Sequence, residues 1–413
     1  MKTNAAKQTN ELLTLLIMST AYIAVFTGVQ GFKAMMPLIR EDFGLTSAQS
    51  GLYSTFFYLS GVILAIFSGR IVDKIGPRKG LIGGVVIIAT LMFLHTLAPG
   101  FSLLLGLAMI TGIGFSVVTP SVNKGIIEMV DPSRRAMSNG IVHAGGGVGG
   151  ILGASVLPFI GERLGWRVSI VLAVIVAFVM ALVLVKLFHP IQSQSSDEAP
   201  DTAHDFLSDI KWVLKNPLVW LVGVMGIVMG LSLGNMTIHY TLFLTDDLAF
   251  SPSMAGVAMS LFITGGIIGN PGFGYLNDRF LNGNRRLSMS ALGIAIALMF
   301  VFMSVVMVPG DMPTPVVLGV SVLFGMVFFA TMGMLFTTLG DVTGPSRIGT
   351  ASGFILVATR LSMVIAPPIV GHGRDVTGDY AASWLSIAVI VIVLSAVFFV
   401  FTAPYKNVLR RNS

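Results

Sequence analysis

Two basic residues lie inside apolar blocks long enough to cross a membrane, where charge is costly. Arg360 falls near the middle of the block 348–371, about eleven residues from either end, or roughly 17 Å at the helical rise. A guanidinium at that depth costs several kcal/mol unless it faces a cavity or a partner. All 19 acids fall in loops or near block ends, so no carboxylate shares its depth. An anionic substrate would supply a counter-charge, and backbone carbonyls or a nearby helix C-terminus are the structural alternative. Lys33 is the second such cation, about five residues from the estimated end of the first block, so its stem could also reach the interface. Tyr22, Phe26, Gln30 and Lys33 are spaced four, four and three, a single stripe of one helix. Asn235, His239 and Tyr240 in the seventh block, and Asn123 with Lys124 in the fourth, could add hydrogen bonds to a substrate path. His143, beside the glycine run Ala144–Gly150, is the candidate proton carrier, since imidazole titrates near neutral pH.

No enzyme is readable. The six histidines, His95, His143, His189, His204, His239 and His372, are scattered singly, cysteine is absent and no phosphate-binding loop occurs. Metal-ligand spacing and a nucleophile–base pair are missing, so neither a metal nor a cofactor is expected.

The elements that position these residues follow from composition. With 54% hydrophobic and 11% charged residues, the chain falls far from the roughly 25% charged of soluble domains. Apolar blocks occur near 12–38, 46–70, 80–98, 101–124, 136–160, 166–188, 216–240, 253–274, 287–308, 315–340, 348–371 and 380–403. Each has the length of a spanning helix, about 20 residues, which predicts an all-α polytopic membrane protein of twelve helices. Pro99-Gly100, Pro309-Gly310 and Gly344-Pro345 mark turns. Of the 25 basic residues, 19 fall on the side of the N-terminus and only Arg40, Arg163, Arg167 and Arg374 on the other. That bias places both termini in the cytoplasm and explains the net charge of +6 without nucleic acid. A polar stretch, Gln192–Glu198, and an amphipathic segment around Phe206, Ile210 and Trp212 make 189–215 a cytoplasmic central loop between halves 1–188 and 216–413.

The halves repeat. Gly69-Arg-Ile-Val-Asp73-Lys74-Ile-Gly76-Pro77-Arg78-Lys79 follows the second block, and Gly274-Tyr-Leu-Asn-Asp278-Arg279 with Arg285-Arg286 follows the eighth. Pro132-Ser133-Arg134 then matches Pro345-Ser346-Arg347.

This organisation resembles the major facilitator superfamily across the whole chain, and the segment Gly69–Lys79 looks like that superfamily's loop between helices two and three. The resemblance implies two six-helix halves that expose a central path alternately to each side, with Asp73, Arg78, Asp278 and Arg279 as gating charges. An arginine common in the superfamily's fourth helix is replaced here by Ala108. The stretch Gly31-Phe32-Lys33-Ala34 to Ile39-Arg40-Glu41 is similar to the first-helix lysine region of monocarboxylate transporters, although the eighth block offers Asn270 in place of a charged pair.

The expected function is secondary transport of a small organic anion, a carboxylate above all, by symport with H+ or Na+ or by anion exchange. Arg360, Lys33, Gln30, Tyr22, Asn235 and His239 would contact substrate. The expected setting is the bacterial inner membrane, with a monomer as the working unit. The alternatives are drug efflux by antiport and, further off, a transporter-like receptor.

Overall fold

The computed structural model describes residues 2–64, 67–131, 134–188, 206–308 and 312–409. His189, His204, Gln192–Glu198, Pro132, Ser133 and the Pro309-Gly310 turn lie outside the described residues. Among the described residues every regular element is helical: α1 Lys2–Ala34, α2 Met36–Phe43, α3 Ser47–Leu64, α4 Phe67–Thr96, α5 Phe101–Met129, α6 Arg135–Leu164, α7 Trp166–Leu187, α8 Phe206–Lys215, α9 Pro217–Asp246, α10 Pro252–Phe280, α11 Arg285–Phe302, α12 Thr314–Thr377 and α13 Ala381–Phe401. A π-helical turn, Met303–Met307, extends α11.

Sequence chemistry sets the ends. Asn216 accepts from Leu218 N at 3.0 Å and is followed by Pro217, and Ser251 accepts from Met254 N at 3.2 Å and is followed by Pro252. In both places a side-chain acceptor caps the helix and a proline fills the position that needs no donor. Two helices are broken internally. Gly76 (φ 80°) interrupts α4 and Gly344 (φ 67°) interrupts α12, and each precedes a proline. Glycine tolerates the left-handed region that other residues avoid, and proline restarts the helix. These breaks are the predicted turns after the second and tenth apolar blocks.

Among the described residues, eleven helices are long and apolar enough to cross a membrane, including Arg70–Thr96, Thr314–Gly344 and Arg347–Thr377. The block expected at 46–70 is not among them. Its described part is the 18-residue helix α3, which ends at Leu64, where the described residues break off. Large side chains such as Ile175, Val179 and Leu182 on α7, and Val389, Ile392 and Val393 on α13, are exposed. Faces of that kind suit lipid rather than water.

The chain forms two compact units, Met1–Phe43 with Leu59–Asp201, and Gly44–Tyr58 with Thr202–Ser413. In the first, α6 lies against α1 through a glycine stripe: Gly145, Gly149 and Gly153 meet the backbone of Ser19, Ile23 and Thr27, and a Cβ at Gly149 would overlap the carbonyl of Ile23. In the second, α9 brings Gly226, Gly230 and Gly234 against Ile355, Thr359 and Met363 of α12. Helices in lipid associate through such close van der Waals contact.

Candidate functional site

The α1/α6 contact in the first unit gathers several of the residues singled out from sequence. Tyr22 is 1% exposed, and its hydroxyl donates to Thr119 Oγ1 at 2.8 Å. The His143 ring stands edge-on to Tyr22 at 5.2 Å, and its Nε2 lies 3.2 Å from Asn123 Oδ1. An amide oxygen only accepts, so Nε2 carries the proton in this arrangement. Phe26 lies 5.3 Å from Tyr22 and 5.2 Å from Phe115. The result is an aromatic shelf edged by His143, Asn123 and Thr119, able to hold an organic group and exchange a proton beside it. Further along the stripe Gln30 is half-buried, and Lys33 is 2% exposed. The lysine stem therefore does not reach outward to an interface.

The signature-loop charges have definite contacts within their own units. Asp73 takes Lys124 Nζ at 2.9 Å, and Glu128 lies 4.0 Å from the same nitrogen, so Lys124 serves a carboxylate rather than a substrate path. Arg78 donates to Val185 O at 2.7 Å, at the end of α7. In the second unit Asp278 lies 3.6 Å from Arg285, which is 4% exposed and also holds Asp341 at 2.9 Å. Arg279 donates to the hydroxyl of Tyr275 at 2.6 Å. Asn270, Gly274, Asp278, Arg285 and Thr337 line a pocket of about 400 Å³.

The mid-span cation lies in the second unit. Arg360 is half-buried, and the half-buried Tyr58 of α3 is within electrostatic range of its guanidinium. Asn235 is buried; its amide donates to Leu231 O at 2.7 Å, while Oδ1 finds no hydrogen-bond partner among the described residues. His239 is fully buried between Tyr380 Oη, 3.1 Å from Nδ1, and Pro367 O, 2.7 Å from Nε2. The carbonyl must accept, so Nε2 donates. Tyr240 meets Ser321 Oγ at 2.6 Å. Every acid in the eleven spans lies close to a span end or to one of the two glycine breaks, so the charge at mid-depth among the described residues is positive.

Sequence reading did not reach Tyr58, Thr119 or Asp341. Tyr58 had a signal: Ser47, Gly51, Thr55 and Tyr58 are spaced four, four and three, one face of α3. Thr119 and Asp341 had none, because their partners are distant in the chain.

A family profile described as Major Facilitator Superfamily matches residues 18–367. The chain is 24% identical over 386 residues to the probable sulfoacetate transporter SauU of Cupriavidus necator, an alignment covering 88% of this chain and 87% of that one. It is 25% identical to the quinolone resistance protein NorA of Staphylococcus aureus strain COL, covering 90% and 93%, and 21% identical to the hexuronate transporter of Bacillus subtilis, covering 96% and 95%. A crystal structure of a bacterial homologue of the human lysosomal transporter Spinster, inward-facing and occupied, superposes with a TM-score of 0.74 at 18% identity, covering 96% and 98%. Apolar spans broken by glycine at two signature turns, and a profile match over most of the length, lead to one assignment: the chain belongs to the major facilitator superfamily, as a multi-pass membrane transporter and not an enzyme.

Proposed function

We propose that the protein carries a small organic anion, with a carboxylate bound by Arg360, and works by alternating access. The observation that carries this reading is a half-buried guanidinium in the middle of a span, at a depth where the described acids are absent. Low dielectric strengthens attraction for an anion there and makes a cation unwelcome. Two relatives support the sign of the charge, since sulfoacetate and hexuronate are both carboxylates. Lys33 and Gln30 assist on α1, Tyr22 contributes its aromatic shelf, and Asn235 offers its open amide oxygen. His239 holds α9 to α12 through Pro367 O. His143 is the proton-coupling residue in a symport mechanism, and Na+ symport or anion exchange are the other modes.

The setting that goes with this reading is a monomer in a bacterial inner membrane, with twelve spans in halves 1–188 and 216–413 joined by the loop 189–215 and both termini cytoplasmic. Asp73, Arg78, Asp278 and Arg279 are its gating charges. A second reading, drug efflux by antiport, draws on NorA and on the Tyr22–Phe26–Phe115 shelf, which suits a planar aromatic compound.

Counterflow in proteoliposomes tests the choice. Radiolabelled mono- and dicarboxylates should show saturable uptake that collapses in Arg360→Ala and is partly kept in Arg360→Lys, with both variants monodisperse. A charge-assisted hydrogen bond is worth about 2 kcal/mol, or roughly thirtyfold in affinity. Transport confined to cationic aromatic compounds would overturn the anion reading.

A further inference from the structure

The segment Gly44–Tyr58 is held to one face of α12 by contacts that recur about every turn. At the start of α3, Ser47 N and Ala48 N donate to Asp375 Oδ1 and Oδ2 at 2.8 and 2.9 Å. Thr46 and Gln49 form a capping box beside them: Gln49 N donates to Thr46 Oγ1 at 3.2 Å, and Thr46 N to Gln49 Oε1 at 2.9 Å. The helix start thus meets two of its orphan donors locally and borrows Asp375 for two more. Alongside the cap, Gly371 touches the backbone of Ser47, and one turn further Gly51 touches that of Pro367, leaving no room for a Cβ at either glycine. After another turn, Thr55 Oγ1 donates to Val364 O at 2.5 Å. That carbonyl is open because its usual helical donor would be the N–H of residue 368, a proline. The same face of α3 continues to Tyr58, which is within electrostatic range of Arg360.

We infer that Asp375 is a positioning residue for transport: its carboxylate caps α3, fastens α3 along α12, and thereby sets how often the two helices part along the face of α12 that carries Arg360. The inference rests on Arg360 as the anion anchor for its meaning, but the fastening can be measured without any substrate. Three features suit Asp375 to a reversible contact. The cap of Ala48 is at the exposed rim, where water can replace the carboxylate; the capping box keeps the helix start formed when Asp375 lets go; and the glycines leave two smooth backbone faces to separate.

The absence of cysteine makes a single-thiol test clean. Ser54 is fully buried and lies seven residues from Ser47 on the same face of α3. Maleimide labelling of Ser54→Cys in proteoliposomes, without substrate, therefore reports separation of α3 from α12. Adding Asp375→Asn should accelerate labelling by about tenfold, the usual scale of a lost cap, and Asp375→Glu should return most of the protection. Ser169→Cys, buried in the first unit, should label at the same slow rate in both backgrounds. In counterflow, Asp375→Asn should change KM several-fold while the maximal rate stays within twofold. Unchanged Ser54→Cys labelling in Asp375→Asn overturns the inference, as does equal acceleration at Ser169→Cys or a Glu variant that protects no better than Asn. Loss of anion transport in Arg360→Ala alongside any of those results would leave the anion reading intact and remove only the role of Asp375.

Discussion

Asp247 gives a pH dependence whose sign is fixed by its surroundings. It caps the end of α9, half-buried, and accepts from Tyr380 N at 2.9 Å. Burial pushes its carboxyl up to about 6, and Asp246 and Asp379 add to the rise, while the Tyr380 N–H and Arg374 oppose it. A carboxyl that binds its proton more tightly when folded destabilises the fold above pH 6, and that loss is recovered as pH falls from about 6 toward 4, the ordinary range. A rise of roughly two units sets a ceiling of about 3 kcal/mol, and solvent screening of a half-exposed group brings this to about 1 kcal/mol. For a chain of this size that is about 1 to 2 °C in Tm. Asp247→Asn keeps an oxygen for Tyr380 N and removes the charge. The variant should therefore melt about 1 to 2 °C above the parent at pH 7.5, keep about half of that lead at pH 5, and match it near pH 4, in scans at one fixed rate. Tyr380 stacks on Trp384 at 5.4 Å, so tryptophan fluorescence should titrate with a midpoint near 6 in the parent and lose that step in Asp247→Asn. A parent whose Tm falls steadily from pH 7.5 to 5, or an Asn variant that keeps the step, would rule out Asp247 as the titrating group.

Two further predictions concern packing and buried charge. Gly149→Val places a side chain against the Ile23 carbonyl and should destabilise by about 1 to 3 kcal/mol, the scale of overpacking; an unchanged melting curve in detergent would mean that α6 and α1 have slack. Arg285→Met leaves Asp341 and Asp278 facing each other without their guanidinium and should cost about 3 kcal/mol, with Asp341→Asn in the same chain restoring part of it in a double-mutant cycle read by thermal shift.

What could be read from sequence was local. Gly76-Pro77 and Gly344-Pro345 announced their turns because the two residue types have backbone requirements of their own. Arg360 announced itself by depth alone. The partners were harder to see, because they depend on how helices cross. Lys124 reads as a lining residue until α5 is laid beside α4 and Asp73, 51 positions earlier, takes its ammonium. His239 gives no hint in the sequence of Pro367 and Tyr380, more than a hundred positions away, which stand at its two ring nitrogens.

Several of the arginines that signal orientation have a second physical role. Arg78 donates to Val185 O, Arg286 to Phe399 O at 3.0 and 2.8 Å, and Arg135 to Ile127 O at 2.6 Å. Each acceptor lies in the last turn of α7, α13 or α5, where carbonyls lack a helical donor and the helix dipole is negative. A lysine would satisfy the charge bias equally well, but a planar guanidinium directs several fixed N–H groups, as Arg286 does with two on one carbonyl. The matching use of Arg78 and Arg286, each following a signature-loop aspartate in its own unit, ties the sequence repeat to one mechanical purpose. In both units the loop is anchored to the end of a neighbouring helix, while the aspartate ahead of it keeps a basic partner of its own, Lys124 for Asp73 and Arg285 for Asp278.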